Sequence, residues 1–511
     1  MEILFFFFLL SLDCRCESLI RWLSRVEDKG GSFQSFIFVG KMEVEKSCQE
    51  DDVADDKDAT KVFDSLAALQ ACLLKNEHRN MILFPTRDQR EMSNSGVESL
   101  ARSLEANTSL VSLTLEEVHL SSIHGIQPLV FALFNHRNLK RLTLYDNRLG
   151  NNGVAFLINA IQSGSYASLP RGVVTARHDS LRSLCLCKNQ IGDRGAYWIS
   201  RGLASNLKHI KELDLSSNHI SDQGTILLAE MVAQSNLSTF ILNGNAAGEK
   251  GAEALAKALQ SNQQLDILGL CGNDIRDEGA IQISNVAKTH RSLTALLLED
   301  NYIRERGLVA IADAYRNNPR LGMMEISWNF FSAKAMQILS ASIESVVYLY
   351  LDNCEIGDAE TKFLAKGLRF NRSVRDLFLE GNQIGMLGTT YLAQVLAKND
   401  TLEGVFLDSN PITRNGALIL RDVLKTSNMR LKRLQIPDEY HEVQQEMEVY
   451  LDMNGAGRKM VLQGTFPTSL WSQLLVQKDG IFDTDMIYLF LRERPDLFQH
   501  PNYTCDHSAS R

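Results

Sequence analysis

A repeating pattern of apolar and polar positions runs through most of this 511-residue chain. Segments such as LKRLTLYDNRLGNNG, IKELDLSSNHISDQG and VRDLFLEGNQIGMLG share alternating leucines, an asparagine, an apolar residue two positions later and a glycine six positions later. The alternation predicts a strand with one buried face, because successive strand side chains point to opposite sides. Apolar residues ten and fourteen positions after the asparagine have helical spacing instead. Each unit therefore predicts a short strand, a turn and a helix.

The asparagine marks each repeat, and we call these residues the anchors; in one repeat a cysteine takes the place. Ten anchors recur at a period of about 28 residues: Asn147, Asn189, Asn218, Asn245, Asn273, Asn301, Asn329, Cys354, Asn382 and Asn410. A buried asparagine there can hydrogen-bond backbone groups that would otherwise stay unpaired as the chain leaves the strand. The longer spacing of 42 residues after Asn147 predicts an insertion, which Gly, Ser and Pro place in a surface loop at 163–180.

Strands joined by helices must run parallel, and such crossovers are right-handed. The sequence therefore predicts an α/β fold, a right-handed solenoid or horseshoe with strands on its concave face, helices on its convex face and helical caps. In the N-terminal cap, the apolar helix face is expected to hold Val62, Leu66, Leu69, Leu73 and Leu74. The sequence predicts an apolar segment and a disordered acidic leader in 1–58, a capping helix in 59–80 and the repeats in 81–440. A helical C-terminal cap is expected in 441–498, with helices near 443–453, 470–476 and 484–492. The last residues, 499–511, are expected to form a disordered tail.

Repeats of about 28 residues that read LxxLxLxxN-x-I-x-x-x-G resemble the ribonuclease-inhibitor type of leucine-rich repeat, over roughly residues 80 to 440. The same type occurs in ribonuclease inhibitor, in the sensor ends of NOD-like receptors and in the activating protein of the Ran GTPase. The resemblance implies a curved binding scaffold, and of these relatives only the last stimulates catalysis in its partner. Because one fold hosts many functions, function has to be argued from the site.

Composition and motifs narrow the function classes. A net charge of −9 argues against nucleic-acid binding, which requires a basic face. The sequence contains no P-loop, HExxH, GxSxG or kinase signature, and its acidic residues follow repeat position. We therefore expect a chain that is not an enzyme and that binds no cofactor.

Nine cysteines are scattered along the chain. Cys185 and Cys187 lie two residues apart on one strand face, but no CxxC pair or His-rich cluster accompanies them, so no metal site is expected. An odd number of scattered cysteines is typical of free thiols in a reducing compartment, which favours a cytoplasmic protein.

The N-terminus favours a different location. An apolar run at 3–12 is too short for a stable membrane span and lacks the basic start of a signal peptide. The alternatives are secretion or membrane association through residues 1–16. Met42 opens an acidic segment and is a second candidate for the translation start.

Strand positions that point away from the predicted core form two columns, and we call the surface they make the strand face. Three aromatic residues in one column are expected to stack in neighbouring strands about 4.8 Å apart, next to an acidic border in the other column and two further aromatics. The predicted protein-binding set is Trp328, Tyr348, Tyr350, Asp352, Phe378, Glu380, Phe406 and Asp408.

Large apolar side chains that point to solvent are typical of an interface. An aromatic strip with an acidic border favours a protein partner that carries an apolar anchor flanked by Lys or Arg. Two alternatives remain open: the aromatics serve only as strand formers, or the C-terminal segment folds over them.

The leading prediction for the function is a non-catalytic protein-binding scaffold or sensor. The alternative is a GTPase-activating protein resembling the Ran activator, which would use polar residues after the strands. The sequence leaves the partner's identity and the oligomeric state open.

Overall fold

A computed structural model describes residues 60–76, 78–85, 92–120, 123–163, 180–206 and 209–455, together with Arg458. The chain divides into two compact units, one ending at Cys354 and the other beginning at Glu355.

In the first unit every strand pairs in parallel with the next strand along the chain. Its strands are β1 (Thr60–Phe63), β2 (Asn80–Leu83), β3 (Ser112–Glu116), β4 (Arg141–Tyr145), β5 (Ser183–Cys185), β6 (Glu212–Asp214), β7 (Thr239–Ile241), β8 (Ile267–Gly269), β9 (Ala295–Leu297), β10 (Met323–Glu325) and β11 (Tyr348–Tyr350). The helices between them are α1 (Leu66–Lys75), α2 (Asn94–Ala106), α3 (Ile123–Asn135), α4 (Gly150–Ser163), α5 (Asp193–Asn206), α6 (Asp222–Gln234), α7 (Gly248–Ser261), α8 (Arg276–Ala287), α9 (Glu305–Asn317) and α10 (Ala333–Ser340).

The second unit repeats this arrangement on a smaller scale, and its strands also pair in parallel with their neighbours in the chain. Its strands are β12 (Asp376–Phe378), β13 (Gly404–Phe406) and β14 (Arg433–Gln435). Its helices are α11 (Asp358–Leu368), α12 (Met386–Leu396), α13 (Arg414–Thr426) and α14 (His441–Gly455), with a 3-10 turn at Asp438–Tyr440. The predicted α/β solenoid of parallel strands alternating with helices is therefore confirmed.

The apolar positions of the repeat form the core between strands and helices. Leu213 and Leu215 alternate along one strand and both are buried, as are Leu228 and Val232 on the following helix. A glycine follows eight of the ten anchors by six positions and serves close packing: a Cβ at Gly195 would lie 2.4 Å from Ile191 Cγ2.

The anchors join successive turns of the chain. Asn218 Nδ2 donates to the carbonyls of Leu186 and Ser216 at 3.0 Å each. Its Oδ1 accepts from the backbone N–H groups of Asn189 (2.9 Å) and Ile191 (3.0 Å). One buried amide thus pairs backbone groups of two repeats, which would otherwise be costly to bury.

Cys354 makes a weaker version of the same contacts. Its sulfur lies 3.6 Å from the carbonyl oxygen of Ile326 and 3.3 Å from that of Asp352. A thiol is a weak donor and cannot replace both functions of an amide.

The N-terminal segment differs from its prediction. Residues 59–80, expected to be a single capping helix, contain β1 and α1, and β2 begins at Asn80. The single helix is wrong because β1 pairs in register with β2, so this segment already forms one strand and helix of the array. Leu69 and Leu73 are buried as expected, whereas Leu74 is exposed. A capping role for the segment stays a prediction.

At the C-terminus the helix predicted near 443–453 corresponds to α14, which buries Val443, Met447 and Leu451. The helices predicted at 470–476 and 484–492, the segments 1–58 and 499–511, and nearly all of the 163–180 loop lie outside the described residues. Within the described ranges, no helix combines the length and the apolar character needed to cross a lipid bilayer.

Candidate functional site

The strand face is closed to solvent. Its first column holds Thr143, Cys185, Asp214, Ile241, Gly269, Leu297, Glu325, Tyr350, Phe378 and Phe406, and all ten are buried. Its second column holds Tyr145, Cys187, Ser216, Asn243, Cys271, Glu299, Ser327, Asp352, Glu380 and Asp408, and these are buried as well. Neighbouring parallel strands lie about 4.8 Å apart, so equivalent side chains of successive strands lie beside one another.

The predicted exposed aromatic strip is therefore wrong in its exposure. Tyr350, Phe378 and Phe406 are only 2%, 3% and 1% exposed. The stacking is right for the pair within the second unit, because the rings of Phe378 and Phe406 lie parallel with centroids 4.6 Å apart. Tyr350 belongs to the first unit. These rings are placed to stabilise the sheet.

The predicted acidic border is also buried: Asp352, Glu380 and Asp408 are all under one tenth exposed. Elsewhere on the strand face of the first unit, Glu325 accepts a hydrogen bond from the backbone N–H of Ser327 at 3.1 Å. Burial, and then the charge of Glu299, raise the pKa of the Glu325 carboxyl well above its usual range. Desolvation and a neighbouring like charge both favour the protonated, uncharged form of this carboxyl group.

Side chains become exposed to solvent at the positions that flank the anchors. We call the residues immediately before and after each anchor the loop edge. The residue after the anchor is exposed in all ten repeats: Arg148, Gln190, His219, Ala246, Asp274, Tyr302, Phe330, Glu355, Gln383 and Pro411. Most of these side chains are polar or small, as expected for a turn on the surface.

Three large aromatics interrupt that polar loop edge in the repeats of β9 and β10. Tyr302 is 53% exposed, Trp328 45% and Phe330 41%. The two repeats are adjacent, since the backbone N–H of Phe330 donates to the carbonyl of Ile303 at 3.1 Å. The Arg304 guanidinium lies 5.8 Å from the centroid of the Phe330 ring, a cation–π distance. Two adjacent repeats thus present three exposed aromatics at the loop edge, with a positive side chain beside one of them.

Trp328 adopts a backbone conformation that disfavours its own side chain. Its φ is +55°, and the residue before the anchor has a positive φ in the other nine repeats too. In three of them this residue is glycine: Gly244, Gly272 and Gly381. A residue with a Cβ pays about 1–2 kcal/mol for the left-handed region. Since neither the turn nor the core accounts for a tryptophan here, Trp328 is a candidate for contact with another molecule.

Of the eight residues predicted to bind a partner, Trp328 is exposed and Tyr348 is half-buried, whereas the other six are buried. Tyr302 and Phe330 are absent from the predicted protein-binding set, because that set was based on the outward-facing strand columns and not on the turns after the anchors. The signal was available in the sequence: an aromatic residue directly after the anchor occurs in two adjacent repeats.

Comparisons with known proteins identify the repeat. A family model described as Leucine Rich repeat matches residues 206–229. NACHT, LRR and PYD domains-containing protein 5 of Homo sapiens is 28% identical over 199 residues, which cover 35% of this chain and 16% of that protein. NACHT, LRR and PYD domains-containing protein 12 of Mus musculus is 30% identical over 177 residues, which cover 34% of this chain and 15% of that protein. A solved internalin from Listeria monocytogenes has a TM-score of 0.40 and 19% identity, covering 68% of this chain and 94% of its own.

The chain is a leucine-rich repeat protein, similar to the repeat regions of NACHT, LRR and PYD domains-containing proteins. It spans less than a fifth of the length of those relatives, 16% and 15% in the two cases.

Proposed function

We propose that this chain is a non-catalytic protein-binding scaffold or sensor that holds its partner on the loop edge of the repeats of β9 and β10. The supporting observation is Trp328, an exposed tryptophan held at positive φ with no role in the core. Repeat arrays present extended surfaces that suit protein partners, and a tryptophan is among the residues that contribute most to binding energy. The match to a leucine-rich repeat model favours a non-enzymatic repeat protein.

The proposed contact set is Tyr302, Trp328 and Phe330, with Tyr348 at its border. Three aromatics at the strand-to-helix turns supply a large, rigid apolar contact area at small entropic cost. The partner is expected to carry an apolar side chain that packs against these rings.

We place this activity in the cytoplasm. In the part of the chain that the structure describes, Cys185, Cys187 and Cys271 are reduced thiols, as is typical of a reducing compartment. The relatives reported above do not point to a GTPase activator, and that alternative receives no support from a specific residue.

The test is crosslinking capture from source cells, followed by a binding measurement with the captured protein in purified form. One bait is the full chain, and a second carries Tyr302→Ala, Trp328→Gly and Phe330→Ala. The control bait carries Phe370→Ala, since Phe370 is 80% exposed and also has an arginine guanidinium, that of Arg369, 5.3 Å from its ring centroid.

We expect one protein to be captured by the full chain and by the Phe370→Ala bait, and to be lost from the triple variant. Neither variant bait should unfold at a lower urea concentration than the full chain, so that a loss of capture reports the surface. If the partner binds the triple variant with unchanged affinity, the loop edge of these repeats is not its binding site.

A further inference from the structure

Two sulfurs and a carboxylate meet on the strand face of the first unit. One ligand atom each from Cys185, Cys187 and Asp214 lies within 4.8 Å of the other two. Cys185 ends β5 and pairs in register with Asp214, which ends β6. Cys187 follows two residues after Cys185 and so points to the same side of the strand. The repeat therefore brings together residues that are 29 positions apart in the chain.

The group is buried and incompletely satisfied. Cys185, Cys187 and Asp214 are 1%, 1% and 2% exposed. Asp214 Oδ1 accepts hydrogen bonds from the backbone N–H of Ser216 at 2.9 Å and from its hydroxyl at 2.6 Å. Asp214 Oδ2, by contrast, accepts no N–H or O–H hydrogen bond from any residue that the structure describes, and only the thiol of Cys187, a weak donor, interacts with this carboxyl group. Buried carboxylate oxygens are rarely left without a partner, so this oxygen points to a ligand.

The chemistry of the three groups fits a cation, because each becomes an anionic ligand when it is deprotonated. Three acidic groups face one another, with the sulfurs of Cys185 and Cys187 only 3.0 Å apart. The nearest lysine in sequence, Lys188, forms an ion pair with Asp146 at 3.1 Å. The tyrosine packed in the same buried cluster, Tyr145, carries no charge at neutral pH. A divalent cation between the three groups would offset the negative charge that they carry once deprotonated.

We propose that Cys185, Cys187 and Asp214 form a binding site for one thiophilic divalent cation, with Zn²⁺ as the natural occupant. Thiolate and carboxylate are both established Zn²⁺ ligands, and three protein ligands leave a fourth position for water or another donor. Binding releases the two thiol protons, so that two thiolates and one carboxylate surround the ion. A tetrahedral ion with 2.3 Å bonds sets its sulfurs roughly 3.8 Å apart, which small side-chain rotations from the present 3.0 Å would achieve. The backbone contacts of Ser216 hold the carboxylate in place, as outer contacts do in metal sites.

The test is a titration of the full chain, prepared metal-free under reducing conditions, with Co²⁺ as a spectroscopic stand-in for Zn²⁺. We expect one equivalent of Co²⁺ to give a sulfur-to-metal charge-transfer band, which Zn²⁺ then abolishes. Cys185→Ser and Cys187→Ser should each weaken the band and lower the affinity by about tenfold or more. Asp214→Asn keeps both sulfurs and nearly the same shape, and should lower the affinity by about tenfold.

Cys271→Ser is the matched control, because Cys271 occupies the same strand-face column as Cys187 and is also buried, but stands outside the cluster. It should leave the Co²⁺ affinity unchanged. If the cysteine variants unfold, the Co²⁺ affinity of Asp214→Asn tests the proposal instead, and its unfolding transition is measured to show that this variant is folded. The absence of a charge-transfer band in the full chain would overturn the proposal, and so would a band that survives in Cys187→Ser and Asp214→Asn at full affinity.

Discussion

Two groups of aromatic residues follow the same repeat yet meet opposite surroundings. Phe378 and Phe406 lie on the strand face and are buried, whereas Tyr302, Trp328 and Phe330 lie on the loop edge and are between 41% and 53% exposed. On the strand face a neighbouring side chain lies on either side at strand spacing, but at the loop edge the chain turns outward. The comparison teaches that a side chain pointing away from the core is not thereby open to a partner.

The largest expected contrast is in stability. Phe406→Ala removes a buried, stacked ring and should lower the free energy of unfolding by about 3–5 kcal/mol. Phe330→Ala removes an exposed ring and should change it by no more than about 0.5 kcal/mol. Urea denaturation of the two variants compares them directly. If both variants lose the same free energy of unfolding, the strand face and the loop edge do not differ in this respect.

The second contrast is in binding. Trp328→Gly should weaken the partner's affinity by about 2 kcal/mol or more, roughly 30-fold, since an exposed tryptophan is proposed as the main contact. The same change should leave the free energy of unfolding unchanged or raise it by up to about 1 kcal/mol, because glycine accepts the positive φ. Calorimetric titration and thermal unfolding measure the two effects. A destabilised variant with full affinity would mean that Trp328 serves the fold.

The smallest effect concerns the acidic part of the strand face. Because the pKa of Glu325 is raised above its ordinary 4.5, the folded chain binds this proton more tightly than the unfolded chain does. The resulting stability is present below about pH 4.5 and is lost as pH rises through the folded pKa. Glu325→Gln should remove this dependence and make the chain more stable at neutral pH.

Urea denaturation of Glu325→Gln and of the unchanged chain over a pH series checks this expectation. Glu299→Gln is the matched comparison, since it should lower the pKa of Glu325 by removing the neighbouring charge. A variant at position 325 that is less stable at neutral pH would show that the carboxylate makes a favourable contact there.

The repeat fold could be predicted from the sequence because its signals are local. Alternating leucines such as Leu213 and Leu215, followed by Asn218, specify a strand and the hydrogen bonds at its end within a few residues. The exposure of Phe406 could not be predicted in this way. Alternation assigns a side chain to one face of a strand, but burial depends on the neighbouring strands, which lie a whole repeat away in sequence.

The proposed metal site and the proposed contact at Trp328 were likewise hidden in the sequence, because each depends on residues or backbone angles that only the fold reveals. Cys185 and Cys187 alone provide too few ligands for a metal, and Asp214 joins them only through the register of β5 with β6. At Trp328 the positive φ is hidden in the sequence because the residue is not glycine. It becomes visible once the equivalent positions, three of them glycine, are compared in the structure.

The most direct test of the central claim is site-specific photocrosslinking from the two kinds of exposed position. A photoreactive phenylalanine analogue is placed at position 328 in one chain and at position 370 in another, and both are irradiated in source cells. The account predicts one crosslinked partner from position 328, absent from position 370, whose yield falls when Tyr302 and Phe330 are changed to alanine. A partner that crosslinks from position 370 and not from position 328 would contradict it.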